Sequence, residues 1–92
     1  MKNKLARIKR LVRAGQWYVE SHCLYELHKD GFTLGDLKNA ILSTEDCEEL
    51  TDDPSNIRYV LYGQALDDRP LTAVVFFRGR NVRIKTAYEP YR

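Results

Sequence analysis

Arg58, Tyr62, Arg83 and Lys85 are the residues of this 92-residue chain whose types and spacing best suit contact with a polyanion. Arg83 and Lys85 alternate with Val82, Ile84 and Thr86, while Arg58 and Tyr62 alternate with Ile57, Tyr59 and Leu61. Successive side chains of an extended strand point to opposite faces. If each apolar set is buried, the four polar or aromatic side chains therefore share the open face of a sheet, together with Val60 and Ala87. Guanidinium and ammonium groups beside an aromatic ring suit phosphate contact combined with stacking on an unpaired base. A solvated sheet face needs outward charge as well, and that is the plainer reading of the same pattern. His22 adds a group whose unperturbed pKa of about 6.5 suits proton transfer near neutrality, although a histidine at a helix start also serves as a surface or capping residue.

Other chemistry is poorly represented. His22 and Glu26 stand four apart on one helical face but have no third ligand, and His28 lies well around the same helix. Cys23 and Cys47 are 24 positions apart, which is neither a zinc spacing nor a disulfide framework, so two reduced thiols are expected. Gly31 and Gly35 flank helix ends, and Gly63 and Gly79 belong to strands or turns, which leaves no glycine-rich phosphate loop. No metal and no cofactor are expected.

The elements that must position these residues follow from hydrophobic periodicity. Leu5, Ile8, Leu11 and Val12 form one stripe of a basic amphipathic helix over 4–14, stopped by Gly15. Residues 16–20 read as a short strand or extended connector. Ser21 is the expected cap of a second helix over 22–30, ended by Gly31. Thr33, with Asp36 three residues on, is the expected capping box of a third, whose buried stripe is Leu34, Leu37 and Ile41. From residue 45 the period becomes two: an acidic edge strand over 45–50, then strands over 57–64, 71–77 and 82–88, with a hairpin turn at 78–81. Tyr88 has the parity of Val82 and Ile84, which places it at the rim of the core. Helices followed by a meander imply an α+β fold, with N-terminal helices packed on one face of an antiparallel sheet.

Length and composition allow one domain over 1–92, with no stretch near the ~18–20 apolar residues of a membrane span and no continuous apolar leader. A cytoplasmic location is expected. The net charge of +2 conceals an uneven distribution. Residues 1–15 carry six basic side chains and no acid, residues 16–68 three basic against twelve acidic, and residues 69–92 six basic against one acidic. Two basic ends around an acidic middle suit a polyanion or a charged protein partner. The acids of 45–53 also suit protection of a sheet edge from strand addition.

Several short motifs resemble a known group. The stretch from Ile8 to Gln16 is similar to the opening of MqsR-like toxins. Ser21-His22-Cys23, Gly31-Phe32-Thr33, the acidic strand with Asp52-Asp53, Arg58-Tyr59-Val60-Leu61 and Ile84-Lys85-Thr86-Ala87-Tyr88-Glu89-Pro90 look like the DUF4258 group. Both share the RelE/ParE-like architecture of bacterial toxin–antitoxin systems. The resemblance implies an mRNA-cleaving toxin that inhibits translation, held by a cognate antitoxin that often carries a zinc-binding domain.

Metal-independent cleavage of this kind uses the 2′-hydroxyl of the RNA as nucleophile, so the protein must move protons and stabilise charge on the phosphate. Under the resemblance, His22 is the candidate base or acid, Arg58, Arg83 and Lys85 are phosphate clamps, and Tyr88 is a weaker acid. Lys9, Arg10, Arg13, Tyr62 and Arg80 are candidate RNA contacts. The chain also departs from the patterns. Glu26 and Asp30 replace helix arginines of the DUF4258 group, and Thr72 replaces a histidine. Glu49, Tyr59 and Leu71 fall opposite the catalytic lysine, glutamine and tyrosine of the MqsR-like toxins. These departures keep open a catalytically inactive domain of the same fold that binds nucleic acid or a partner protein, and an accessory subunit whose charges serve assembly.

Overall fold

The structure, a computed structural model, describes the backbone of residues 2–90 and the side chains of 3–90. Lys2 and Arg92, counted above among the basic side chains, therefore fall outside the described side chains. The order of elements is α1 (Lys2–Arg13), β1 (Trp17–Val19), α2 (Ser21–Lys29), α3 (Leu34–Ser43), β2 (Cys47–Leu50), β3 (Arg58–Gln64), β4 (Pro70–Arg78) and β5 (Asn81–Tyr88). The five strands form one sheet in the order β1-β5-β4-β3-β2. Strands β2 to β5 are an antiparallel meander, whereas β1 pairs with β5 in parallel, so the sheet is mixed. Residues 16–20 thus contribute an edge strand, and the acidic β2 forms the opposite edge.

All three helices lie on one face. Leu5, Ile8, Leu11 and Val12 of α1, Cys23 and Leu27 of α2, and Leu37, Ala40 and Ile41 of α3 share one core with Tyr59, Leu61, Leu71, Ala73, Val75, Val82, Ile84 and Ala87 of the sheet. The helix ends follow local chemistry. Gly31 has φ +76, and its N–H donates to His28 O while Phe32 N–H donates to Leu27 O, the paired bonds of a left-handed helix stop. Gly15 ends α1 with the same pair of bonds. Thr33 and Asp36 form the expected capping box.

Two helix expectations need correction. Glu20, not Ser21, is the N-cap of α2, and it makes no side-chain cap bond. The reason is that β1 pairing runs into this residue: Glu20 N–H donates to Ile84 O, while Glu20 O already accepts from Leu24 N–H, so the strand passes into the helix without a spare residue. Leu34 is 50% exposed. It opens α3 one turn before Leu37, and Ala40 takes the third place in the buried stripe.

Close approach fixes α3 against β3. A Cβ on Gly63 would stand 1.8 Å from the carbonyl oxygen of Ala40, so only a residue without a side chain allows the helix this near the strand. The same carbonyl accepts from the buried hydroxyl of Thr44 at 2.8 Å. Among the described residues no helix is long and apolar enough to cross a membrane.

Candidate nucleic-acid interface

With every helix on one side, the other side of the sheet is open, and the register between β4 and β5 determines which side chains reach it. Val82 lies opposite Phe77, Arg83 opposite Phe76 and Ile84 opposite Val75. The register then shifts: Thr86 lies opposite Val74, Ala87 opposite Ala73 and Tyr88 opposite Thr72, leaving Lys85 as the extra residue of a β-bulge. One inserted residue reverses the alternation beyond it. Ala87 is therefore buried in the core, and Thr86 and Tyr88 stand on the same face as Arg83, contrary to a strict alternation through residue 88. The sequence held one signal of this. Ile84 and Ala87 are three apart, and both can face the core only if the strand carries an extra residue.

One cross-strand row on the open face gathers two of the arginines. Tyr18 pairs with Arg83 and Arg83 with Phe76. Arg58 and Phe76 come next along the β3–β4 register, after Tyr59 opposite Val75. The row therefore reads Tyr18, Arg83, Phe76, Arg58 across four strands. Arg83 and Arg58 are two interstrand spacings apart, roughly 10 Å at the backbone, with the half-buried ring of Phe76 between them. The Arg83 guanidinium lies over the Tyr18 ring, 4.3 Å from its centroid. Arg58 Nη2 donates to Asp52 Oδ1 at 2.5 Å. The Nε of each arginine is buried and makes no hydrogen bond to the described residues. A buried donor without an acceptor is costly, and each of these belongs to a cation on an uncovered face. Lys85 is exposed at the bulge, and Arg78 and Arg80 are exposed at the hairpin beside the row. Sequence reasoning missed Tyr18 and Phe76, because the aromatic it placed beside the arginines was Tyr62.

The opposite end of the open face is acidic. Tyr62, Thr72 and Tyr88 form a second row, two outward positions from the first and roughly 13 Å along β4 at the usual strand rise. Tyr62 donates its hydroxyl to Glu48 Oε1 at 3.2 Å. Desolvation, with that bond and the Glu48 charge beside it, pushes the Tyr62 phenol above its ordinary range. Beyond it, Ser43, Glu45, Asp46, Tyr62, Gly63, Gln64, Pro70, Thr72 and Pro90 line an open groove of about 530 Å³. Carboxylates at this end repel phosphate, and this groove and the arginine row lie at different ends of the face.

The remaining candidates are not brought to the row. His22 sits in the first turn of α2, in the helical layer, with its Nε2 3.9 Å from Glu26 Oε1 and a side chain 71% exposed. Lys9, Arg10 and Arg13 are on α1, also in the helical layer. Tyr88 shares the open face with Arg83 but belongs to the acidic-end row. Among the described residues, no group of three or more His, Cys, Asp or Glu is placed to hold a metal ion. Both cysteines are free thiols. Burial pushes Cys23 up to about 11, which keeps it protonated and unreactive.

Glu49, Tyr59, Leu71 and Thr72, the positions at which the sequence departs from the family patterns, have structural places in the sheet. Tyr59 and Leu71 are core residues, and Glu49 lies opposite Tyr59 on the β2 edge. Thr72 is buried between Tyr62 and Tyr88.

Fold and surface together define an α+β domain with one helical layer and one open, partly basic sheet face. The family model described as Domain of unknown function (DUF4258) matches residues 19–89, and the chain belongs to that family. No curated protein and no solved structure matches the chain.

Proposed function

We propose that this protein binds RNA on the basic end of its open sheet face, as the RNA-recognising toxin component of a type II toxin–antitoxin pair. The observation that carries the reading is the row of Tyr18, Arg83, Phe76 and Arg58, in which two arginines flank an aromatic ring on the sheet face that no helix covers. Arginine forks match phosphate oxygens, and uncovered sheets with aromatic side chains are a recurrent platform for RNA. The toxin setting rests on the resemblance to MqsR-like and RelE-like proteins, as does a cognate antitoxin as protein partner.

Cleavage of mRNA without a metal is the fuller form of this reading. It assigns charge stabilisation at the phosphate to Arg58, Arg83 and Lys85, and proton transfer to Tyr88 or His22. One observation favours the binding-only form: His22 stands in the helical layer, and Tyr88 is two rows from the arginines. Induced expression in bacteria tests the pair of readings. Growth arrest with fragmented mRNA supports the endoribonuclease. Growth arrest with intact mRNA, and RNA binding weakened by Arg83→Gln, supports the binding form. A folded protein that neither slows growth nor binds RNA overturns both.

A further inference from the structure

The aromatic ring in the arginine row points to the form of nucleic acid that fits it. We infer that Phe76 is a base-stacking platform, which makes the site specific for single-stranded rather than duplex RNA; the inference rests on the RNA-binding reading above.

Phe76 lies at the centre of the sheet, on β4, with β5 and β3 on either side. It points to the open face because its neighbours Val75 and Phe77 point to the helices: Val75 is fully buried and Phe77 packs on the core. Phe77 has partners on that side, with Arg7 4.4 Å and Lys4 5.8 Å from its centroid and Tyr59 edge-on at 5.5 Å. Phe76 has a guanidinium-bearing residue on each side instead. Arg83 is its direct partner, and the Tyr18 ring lies against that guanidinium from the far side.

Such an arrangement distinguishes nucleic acids by geometry. A base can lie on the Phe76 ring only when it is free of its own stack and pair, and the arginines on either side then meet the flanking phosphates. In a duplex the bases are inside and the phosphates outside, so only the arginines find partners. Every base has a π face, so the platform is tolerant of sequence. Tyr62, by contrast, has its hydroxyl engaged by Glu48 in an acidic neighbourhood and is poorly placed to accompany a phosphate.

The test compares a fluorescent twelve-nucleotide single strand of mixed sequence with its duplex, by anisotropy at several salt concentrations. The variants are Phe76→Leu, which keeps an apolar side chain on the strand, and Phe76→Trp, which restores a larger ring. Thermal unfolding of each shows whether it is folded. The inference expects the single strand to bind more tightly than the duplex. It expects Phe76→Leu to weaken single-strand binding about 5- to 150-fold while the slope of log K against log salt stays unchanged, since stacking releases no counterion. Phe76→Trp restores the affinity, and its fluorescence is quenched by the single strand. A folded Phe76→Leu protein with wild-type affinity, or equal affinity for strand and duplex, overturns the inference and leaves RNA binding standing. If neither nucleic acid binds the wild-type protein, the RNA-binding reading falls and takes this inference with it.

Discussion

Asp52 places its Oδ1 2.5 Å from Nη2 of Arg58, where a phosphate oxygen would sit if Arg58 held a nucleic acid. Asp52 is 73% exposed in the loop between β2 and β3, so an incoming anion can displace it. An exposed ion pair contributes at most about 1 kcal/mol. We therefore predict that Asp52→Asn leaves thermal stability nearly unchanged but strengthens single-strand RNA binding. The gain comes from removing a competitor for Arg58, so the salt slope, set by the same number of phosphate contacts, should stay unchanged. Identical affinity in the variant would show that Asp52 does not compete for Arg58.

Gly63 is the point where α3 meets the sheet most closely. Gly63→Ala sets a methyl group against the Ala40 carbonyl, which is backbone and cannot swing aside. Overpacking usually costs about 1–3 kcal/mol, and a backbone obstacle belongs at or above the upper end. For a domain of this size the expected loss in Tm exceeds about 10 °C. A melting curve within about 3 °C of wild type would mean that the helix shifts at little cost.

Asp36 ties the start of α3 to the turn between β3 and β4. Its Oδ2 accepts from Thr33 N–H at 2.8 Å, and its Oδ1 accepts from Leu66 N–H at 3.0 Å. These bonds, the one from Thr33 first, hold its carboxyl below the ordinary range despite opposing desolvation. A carboxylate whose folded pKa lies below its unfolded value of about 3.9 stabilises the fold fully above that value. The contribution is lost as pH falls through the folded pKa. Asp36→Ala should therefore cost roughly 1–2 kcal/mol at pH 7, and the gap from wild type should narrow below about pH 4. Denaturant melts at pH 7 and pH 3 check this, and a gap that does not narrow would refute the linkage.

His22 separates binding from cleavage. Because its side chain is exposed in the helical layer, His22→Ala is expected to change stability by less than about 0.5 kcal/mol and to leave RNA affinity at the wild-type value. A nuclease assay on the same variant decides its role. A fall of about 10²–10⁴ in cleavage with unchanged binding would make it a proton carrier and reject the binding-only reading.

Much of the architecture was legible because it rests on local rules. The glycine stops at Gly15 and Gly31 and the capping box at Thr33 and Asp36 each involve residues a few positions apart. The acidic edge strand and the three-strand meander follow from a period of two and turn residues between the runs. Chain order alone could not show how β1 joins the sheet, because a three-residue strand pairing in parallel with β5 depends on a partner more than sixty residues away.

The candidate site was legible in part. Alternation placed Arg58 and Arg83 on one face, and both stand there. It failed beyond Ile84, where the Lys85 bulge turned Ala87 inward and Tyr88 outward. Pairing with β4, rather than the sequence of β5 alone, determines where the extra residue goes.

By itself the sequence determined the element types, the burial stripes apart from Leu34 and the end of β5, and the presence of basic side chains on the outward face of the sheet, since each follows from periodicity along the chain. Only the tertiary structure decided which side chains stand together. Register across four strands put Tyr18, Arg83, Phe76 and Arg58 in one row, and the single helical layer left His22 and the basic α1 away from it. Those relationships are set by pairing between distant segments, and spacing within one segment carries no record of them.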